Sequence, residues 1–166
     1  QPSNTDRLVW CALGLAHLAL QSRSRKLMLR DPYVVEGLVQ VMRSSDSRAQ
    51  LYGPIALCNM SSHCITKKTI YDRKFHEDLI VITLLRVNEV ETKEICAKTL
   101  YNLLTNSETR NGLVSSGFAY AIIKLAKLNS TEIQHMCVKA LFNLSCDSAM
   151  SPELLHHGAM PILVTK

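Results

Sequence analysis

Four segments of the chain share one pattern of apolar and small residues. They read CALGLAHL at 11–18, GPIALCNM at 53–60, CAKTLYNL at 96–103 and CVKALFNL at 137–144. Aligned on their seventh positions, they bring residues 17, 59, 102 and 143 into register, with spacings of 42, 43 and 41 residues. Apolar residues at i, i+3, i+4 and i+7 mark one side of an amphipathic helix, and a period of about 40–47 residues indicates a helical repeat array.

Each full period predicts a short, a medium and a long helix. The medium helices keep register because Leu38, Leu79, Ile122 and Leu163 recur at intervals of 41, 43 and 41 residues. We predict long helices at 5–20, 48–62, 90–105 and 131–146. We predict medium helices at 76–86 and 118–128 and from residues 32 and 160, and short ones at 66–74, at 107–115 and after an N-cap at Ser151. Residues 23–26 are predicted to form a basic turn, and Pro54 to kink its helix or delay its start.

The inward face of each long helix is predicted to need a small side chain at one position. Cys11, Gly53, Cys96 and Cys137 occupy it, and on the first long helix Cys11 lies on one stripe with Gly14, Leu15 and Leu18. Free cysteine behaves as a small hydrophobe in protein cores. The six cysteines therefore indicate a reducing, intracellular compartment, which we expect to be the cytoplasm, with the cytoskeleton, the cilium and the nucleus as alternatives.

Composition excludes few functions. The 166 residues are 47% hydrophobic and 20% charged, and the net charge of +5 favours acidic partners only mildly. The longest apolar stretch, 8–20, is shorter than the ~20 residues that cross a bilayer. The chain opens on a long helix and closes within a medium one, so we expect a piece of a longer array or ends covered by a partner.

These patterns resemble armadillo repeats. The resemblance rests on the three-helix period, on Ala-Leu-Phe-Asn-Leu at 140–144 and on Gly-Ala-Met-Pro-Ile-Leu-Val at 158–164. It implies an all-α fold, a right-handed α-solenoid of armadillo-type three-helix repeats in a single array over residues 1–166. The repeats would be 1–20 (a long helix only), 24–62, 66–105, 107–146 and 151–166 (a start only). HEAT repeats are the near alternative, and the third helix and the asparagine favour armadillo.

A second stripe on each long helix is predicted to bind a partner. It consists of sixteen residues, four on each long helix, which we call the grid: Asp6, Trp10, Leu13 and His17; Arg48, Tyr52, Ile55 and Asn59; Glu91, Ile95, Lys98 and Asn102; Glu132, Met136, Lys139 and Asn143. In armadillo proteins the long helices line a concave groove in which asparagines bind the backbone of an extended peptide. The resemblance implies that role for Asn59, Asn102 and Asn143.

Side chains four residues before each asparagine indicate which class of peptide the groove would bind. Nuclear-import adaptors of the armadillo class carry tryptophan four residues before the asparagine, where this chain has Leu13, Ile55, Lys98 and Lys139. The two lysines instead resemble the basic groove of the catenin branch, which receives acidic, extended partners. The predicted groove residues are Trp10, His17, Tyr52, Asn59, Lys98, Asn102, Lys139 and Asn143.

A structural interpretation stands beside each of these assignments. The asparagines could tie neighbouring helices together, the lysines could be solvated, and Trp10 and Tyr52 could belong to the core. The basic cluster of Arg23, Arg25 and Lys26 could be a solvated turn or contact an acidic surface.

Catalytic motifs are absent from the sequence. It contains no phosphate-binding glycine loop, no H-E-x-x-H and no C-x-x-C, and the histidines and cysteines near 58–64 and 146–157 match no zinc spacing. We expect no enzyme activity, no metal and no cofactor. The leading hypothesis is an interaction scaffold that binds an extended protein segment. The alternatives are a structural subunit of a cytoskeletal or axonemal assembly and a nucleic-acid-binding α-solenoid.

Overall fold

The computed structural model describes residues 4–81, 84 and 89–165, which form helices and turns with no strand among them. The chain divides into two compact units, residues 1–87 and 88–166. The first contains α1 (Asn4–Leu18), α2 (Ser22–Arg30), α3 (Pro32–Arg43), α4 (Ser47–Ser61), α5 (Cys64–Asp72) and α6 (Phe75–Val81). The second contains α7 (Val90–Leu104), α8 (Ser107–Ser115), α9 (Phe118–Ala126), α10 (Thr131–Ser145), α11 (Ser151–His156) and α12 (Met160–Thr165). The all-α prediction is confirmed, while the single array and its repeat boundaries stay predictions.

Side-chain caps begin several helices at or near the predicted residues. Asp31 accepts hydrogen bonds from the amides of Tyr33 and Val34 ahead of α3, and Asp46 accepts from the amides of the first turn of α4. Asn106 and Ser130 cap α8 and α10 in the same way. Each cap satisfies helix amides that have no partner within the helix. Gly117, with φ of +95°, makes the left-handed turn between α8 and α9.

Two local predictions were wrong, and a third is narrowed. Residues 23–26 belong to α2 and form no turn. Helix α4 starts at Ser47 and continues through buried Pro54, so its start is not delayed and the kink at Pro54 stays a prediction. Ser151 is the first residue of α11 and not its N-cap, because a 3₁₀ turn capped by Asp147 precedes it. The predicted helix at 76–86 is described up to Val81; residues 82, 83 and 85–88 lie outside the described residues.

The first unit is built on the packing of α1 against α4. Small side chains, including Ala12, Ala16, Ala49 and Ala56, are buried there and let the helices approach closely. Gly53 leaves room for α3 on this face of α4, because a Cβ atom there would lie 2.9 Å from Val41 Cγ1 and 3.0 Å from Met42 Sδ.

The inward face predicted for α1 was wrong. Cys11, Gly14 and Leu18 are exposed and Leu15 is partly exposed, while Val9, Ala12 and Ala16 are buried. On α4 the corresponding face is covered by α3, the medium helix before it, and among the described residues no medium helix precedes α1. Without that cover, α1 buries the stripe that meets α4.

The second unit packs α10 against α7 and α9. Cys96 and Cys137 are buried, which confirms the prediction that a small buried side chain occupies this position of α7 and α10. Leu100, Leu103 and Leu141 are buried with them. In the described part of the chain, the following cysteines form no disulfide: Cys11, Cys58, Cys96, Cys137 and Cys146.

Side-chain hydrogen bonds recur at the junctions between helices. The fourth residue of α4, Gln50, donates from Nε2 to the carbonyl of Ser44 at 2.9 Å, and the fourth residue of α10, Gln134, donates to Leu128 at 2.7 Å. The fourth residues of α2 and α8 do the same, because Arg25 Nε donates to the carbonyl of Ala19 and Arg110 Nε to that of Leu104. These bonds satisfy carbonyls at or just beyond helix C-termini and help to fix the angles at which the long helices leave their junctions.

Candidate binding surface on the long helices

The grid face of the long helices is accessible in both units. Each grid residue is exposed or partly exposed, whereas the opposite stripes form the core. Among the predicted groove residues, Trp10, His17, Lys98 and Lys139 are exposed. The others, Tyr52, Asn59, Asn102 and Asn143, are partly buried. The alternative assignment of Trp10 to the core is wrong, since 69% of its surface is exposed.

A mainly apolar cleft of about 300 Å³ lies between α1 and α4. It brings together three predicted groove residues, His17, Tyr52 and Asn59, while Trp10 lies outside its lining. Among the described residues, its lining is Leu13, Ala16, His17, Leu20, Tyr52, Ile55 and Asn59. Apolar walls with few polar groups suit a side chain of a bound segment.

Two polar contacts join the α1 and α4 rows of the grid at opposite ends. Arg48 Nη2 lies 3.2 Å from Asp6 Oδ1, and Arg48 also bonds Asp46. The Arg48 guanidinium lowers the pKa of Asp46, so this group is ionised at neutral pH. At the other end, Asn59 Nδ2 donates to the carbonyl of Ala16 at 3.2 Å. Asn59 thus ties two helices, and an amide with two donor hydrogens and one acceptor oxygen has further capacity.

A second cleft, of about 280 Å³, lies between α7 and α10. It has an apolar part, formed by Ile95 and Met136, and a charged part, formed by Lys98 and three glutamates: Glu91, Glu94 and Glu132. Glu94 is held in place by a hydrogen bond from Ser130 Oγ at 3.0 Å. Lys139, Asn102 and Asn143 are not part of this lining. At 1.5 Å per residue, the asparagines lie about 6 Å farther along their helices than the lysines.

Three lining residues lie outside the predicted grid, namely Ala16, Leu20 and Glu94. Each follows a grid residue by three positions: Ala16 follows Leu13, Leu20 follows His17, and Glu94 follows Glu91. The i, i+3 neighbours of the grid residues were therefore the sequence signal that could have found all three.

Searches for other kinds of site give little. Within residues 4–81, 84 and 89–165, no three His, Cys, Asp or Glu side chains are grouped as a metal site would require. No helix in the described part of the chain is long and apolar enough to cross a membrane.

Comparisons with known proteins identify the architecture. No protein-family model and no curated protein matches the sequence. Among solved structures, a computationally designed armadillo repeat protein for modular peptide recognition matches with a TM-score of 0.86 and 16% identity, over 98% of this chain and 68% of that one. A designed armadillo repeat protein in complex with the peptide (KR)4 matches with a TM-score of 0.82 and 17% identity, over 98% and 68%.

The chain has the armadillo-repeat fold. A further designed armadillo repeat protein matches with a TM-score of 0.84 and 16% identity, over 99% of this chain and 69% of that one. At these identities the structural similarity establishes the armadillo fold, which the sequence predicted. It carries over no binding residue.

Proposed function

We propose that this protein is a non-enzymatic scaffold whose grid face binds an extended segment of another protein. The observation that carries the proposal is that both clefts fall on the predicted grid, one on each pair of long helices. The designed armadillo protein that binds (KR)4 shares this fold, which supports a peptide as the ligand.

The two clefts suit different side chains of the bound segment. The cleft between α1 and α4 is lined by Leu13, Tyr52 and Ile55 and fits an apolar side chain, with His17 and Asn59 at hand for the backbone. Burial of one such side chain stabilises a complex by about 1.5–3 kcal/mol before the costs of ordering the segment.

Charge sets a finer expectation for the cleft between α7 and α10. Acidic residues of the segment would pair with Lys98 and Lys139, the two lysines for which the sequence predicts acidic partners. Glu91, Glu94 and Glu132 would repel a uniformly acidic segment at the other end of the cleft and would attract a basic side chain there. The proposed ligand is therefore an extended segment in which acidic residues face the lysines and a basic residue faces the glutamates.

The other two functions have less support. A structural role in a cytoskeletal or axonemal assembly has no observation in its favour. Nucleic-acid binding on the grid face is opposed by the three glutamates around the α7–α10 cleft, since phosphate contacts supply most of nonspecific affinity.

The proposal is tested with peptides selected from a displayed random library on the wild-type protein. Isolated binders are titrated against the double variant N102A/N143A, against K98A/K139A, and against the control N111A/N129A, which removes two exposed asparagines outside the grid. Loss of two amide contacts should weaken binding about tenfold, because each is worth about 0.5–1.5 kcal/mol. The control should bind as the wild type does. If the wild type, both grid variants and the control variant all bind the selected peptides with equal affinity, the grid is not the binding face.

A further inference from the structure

Helix α2 presents a row of cations that is separate from the grid. Arg23, Lys26 and Arg30 are exposed and lie at i, i+3 and i+7, on one side of the helix. They line a concave surface of about 460 Å³ together with Ser22, Leu27 and His63. No acidic residue of the described part of the chain contributes to this lining.

The neighbouring Arg25 has a structural role. Of the basic cluster predicted from the sequence, only Arg23 and Lys26 therefore belong to the row. Its Nε and Nη2 donate to the carbonyls of Ala19 and Leu20 at 2.7 and 2.9 Å, and its Nη1 donates to Ser62 Oγ at 2.8 Å. These bonds anchor the start of α2 against the end of α4. Arg25 is thus engaged in helix contacts, whereas Arg23, Lys26 and Arg30 line the cleft.

The row carries uncompensated positive charge. Within the described residues no carboxylate lies in salt-bridge range of Arg23, Lys26 or Arg30, whereas Arg43 and Arg48 are paired with Asp78 and Asp6. The nearest acid in sequence, Asp31, caps α3 and accepts from the amides of Tyr33 and Val34. Cations gathered on a concave surface without counter-charges raise the local concentration of anions.

We propose that this α2 cleft binds an acidic, extended segment of a partner protein. The three cations are spread over about 10 Å of helix, since each residue rises about 1.5 Å. Carboxylates on one side of an extended segment recur about every 6.6–6.8 Å, so successive Asp or Glu side chains can meet successive cations. Each arginine can donate two parallel N–H hydrogen bonds to one carboxylate. Leu27 supplies an apolar contact for the segment.

The lining of the cleft favours a peptide over nucleic acid. Single-stranded nucleic acid is held by aromatic stacking as well as charge, and among the described residues no aromatic side chain other than His63 lines this surface.

The test measures fluorescence anisotropy of a labelled (Ser-Glu)4 peptide, with (Ser-Gln)4 as the uncharged peptide. The variant R23Q/K26Q/R30Q removes the row, and R7Q/R73Q/K127Q removes the same charge from exposed positions elsewhere. We expect the row variant to bind (Ser-Glu)4 at least tenfold more weakly and the control variant to stay within twofold of wild type. The variant R23K/R30K keeps the charge but loses the paired N–H donors of the arginines, so it should bind (Ser-Glu)4 more tightly than the row variant and more weakly than the wild type. It replaces the row variant in the comparison if circular dichroism shows that the row variant melts early.

Three outcomes would overturn the proposal. The first is equal weakening in the row variant and the control. The second is loss of binding in K98Q/K139Q with none in the row variant, which would put the acidic peptide on the grid. The third is tighter binding of an eight-thymidine oligonucleotide or of phosphatidylserine vesicles through the same three cations, which would assign the cleft to a different polyanion.

Discussion

Asn59 on α4 donates a hydrogen bond from Nδ2 to the main-chain carbonyl of Ala16 on α1, across 3.2 Å. Asn143 occupies the same thirteenth position of its own long helix, α10. No hydrogen bond is made by its side chain within the described residues, so the two asparagines have different tasks in spite of their matching place in the repeat.

This difference predicts unequal effects of alanine. Asn59→Ala should unfold about 1 kcal/mol more easily than Asn143→Ala, because only Asn59 loses a helix-to-helix bond. The gain in helix propensity is common to both substitutions and cancels in the comparison. Urea unfolding of the two variants measures the difference, and equal midpoints would mean that the Ala16 bond contributes nothing to stability.

Two glycines predict opposite outcomes for one substitution. A Cβ atom at Gly53 would overlap Val41 and Met42, so Gly53→Ala should lower the free energy of unfolding by about 1 kcal/mol. A Cβ atom at Gly14 would meet no described atom outside its own stretch of helix within 4 Å, so Gly14→Ala should raise the free energy of unfolding by about 0.5–1 kcal/mol through helix propensity. Thermal melts followed by circular dichroism compare both with wild type. A stabilised Gly53→Ala would show that α3 can retreat from α4 at little cost.

The cysteines predict a two-step alkylation pattern. Cys11 and Cys146 are exposed and should react with iodoacetamide in the native protein, while Cys96 and Cys137 should react only in denaturant. Peptide mass spectrometry at increasing urea locates each modification. Native labelling of Cys137 as fast as that of Cys146 would contradict the packing of α10 on α9.

Buried His76 predicts acid sensitivity. Burial lowers its pKa, nearby Glu77 opposes that shift, and its ring stacks on Tyr71 with centroids 4.9 Å apart. Because the unfolded chain then binds the proton more readily than the folded one, stability from this residue is full above about pH 6.5 and is lost as the pH falls toward the folded pKa. The melting temperature of the wild type should therefore fall between pH 8 and 5.5.

His76→Phe should keep the stacking on Tyr71 and flatten that decline, whatever its effect at pH 8. The control His135→Gln, at an exposed position, should decline as the wild type does. Identical slopes in His76→Phe and wild type would assign the acid sensitivity to other groups.

The sequence predicts elements well where burial enforces a period. The long helix at 131–146 was found to within one residue, because a buried stripe allows only apolar or small side chains at fixed spacing. Residues 23–26 carry no such stripe, and Arg25 of this segment instead donates to the carbonyls of Ala19 and Leu20. The polar run alone does not reveal these bonds, because they depend on where the preceding helix ends.

The candidate surface was predictable as a face but not in its details. Register alone located the grid, because each long helix repeats the same stripe. It could not tell that the exposed side of α1 would include Cys11 and Leu18, since burial there depends on a neighbouring helix. The contribution of Glu94 to the α7–α10 cleft was equally invisible, because it depends on how closely two helices pack.

The junction bonds of Gln134 and Arg110 each span only six residues, so both ends of each bond belong to the same stretch of chain. A tandem copy of residues 104–144 would bring both of these bonds, its own Asn106 cap and its own row of grid side chains. Such a duplication would lengthen the binding surface by one repeat at a time. The inserted segment would carry the residues that form the hydrogen bonds at its own helix junctions.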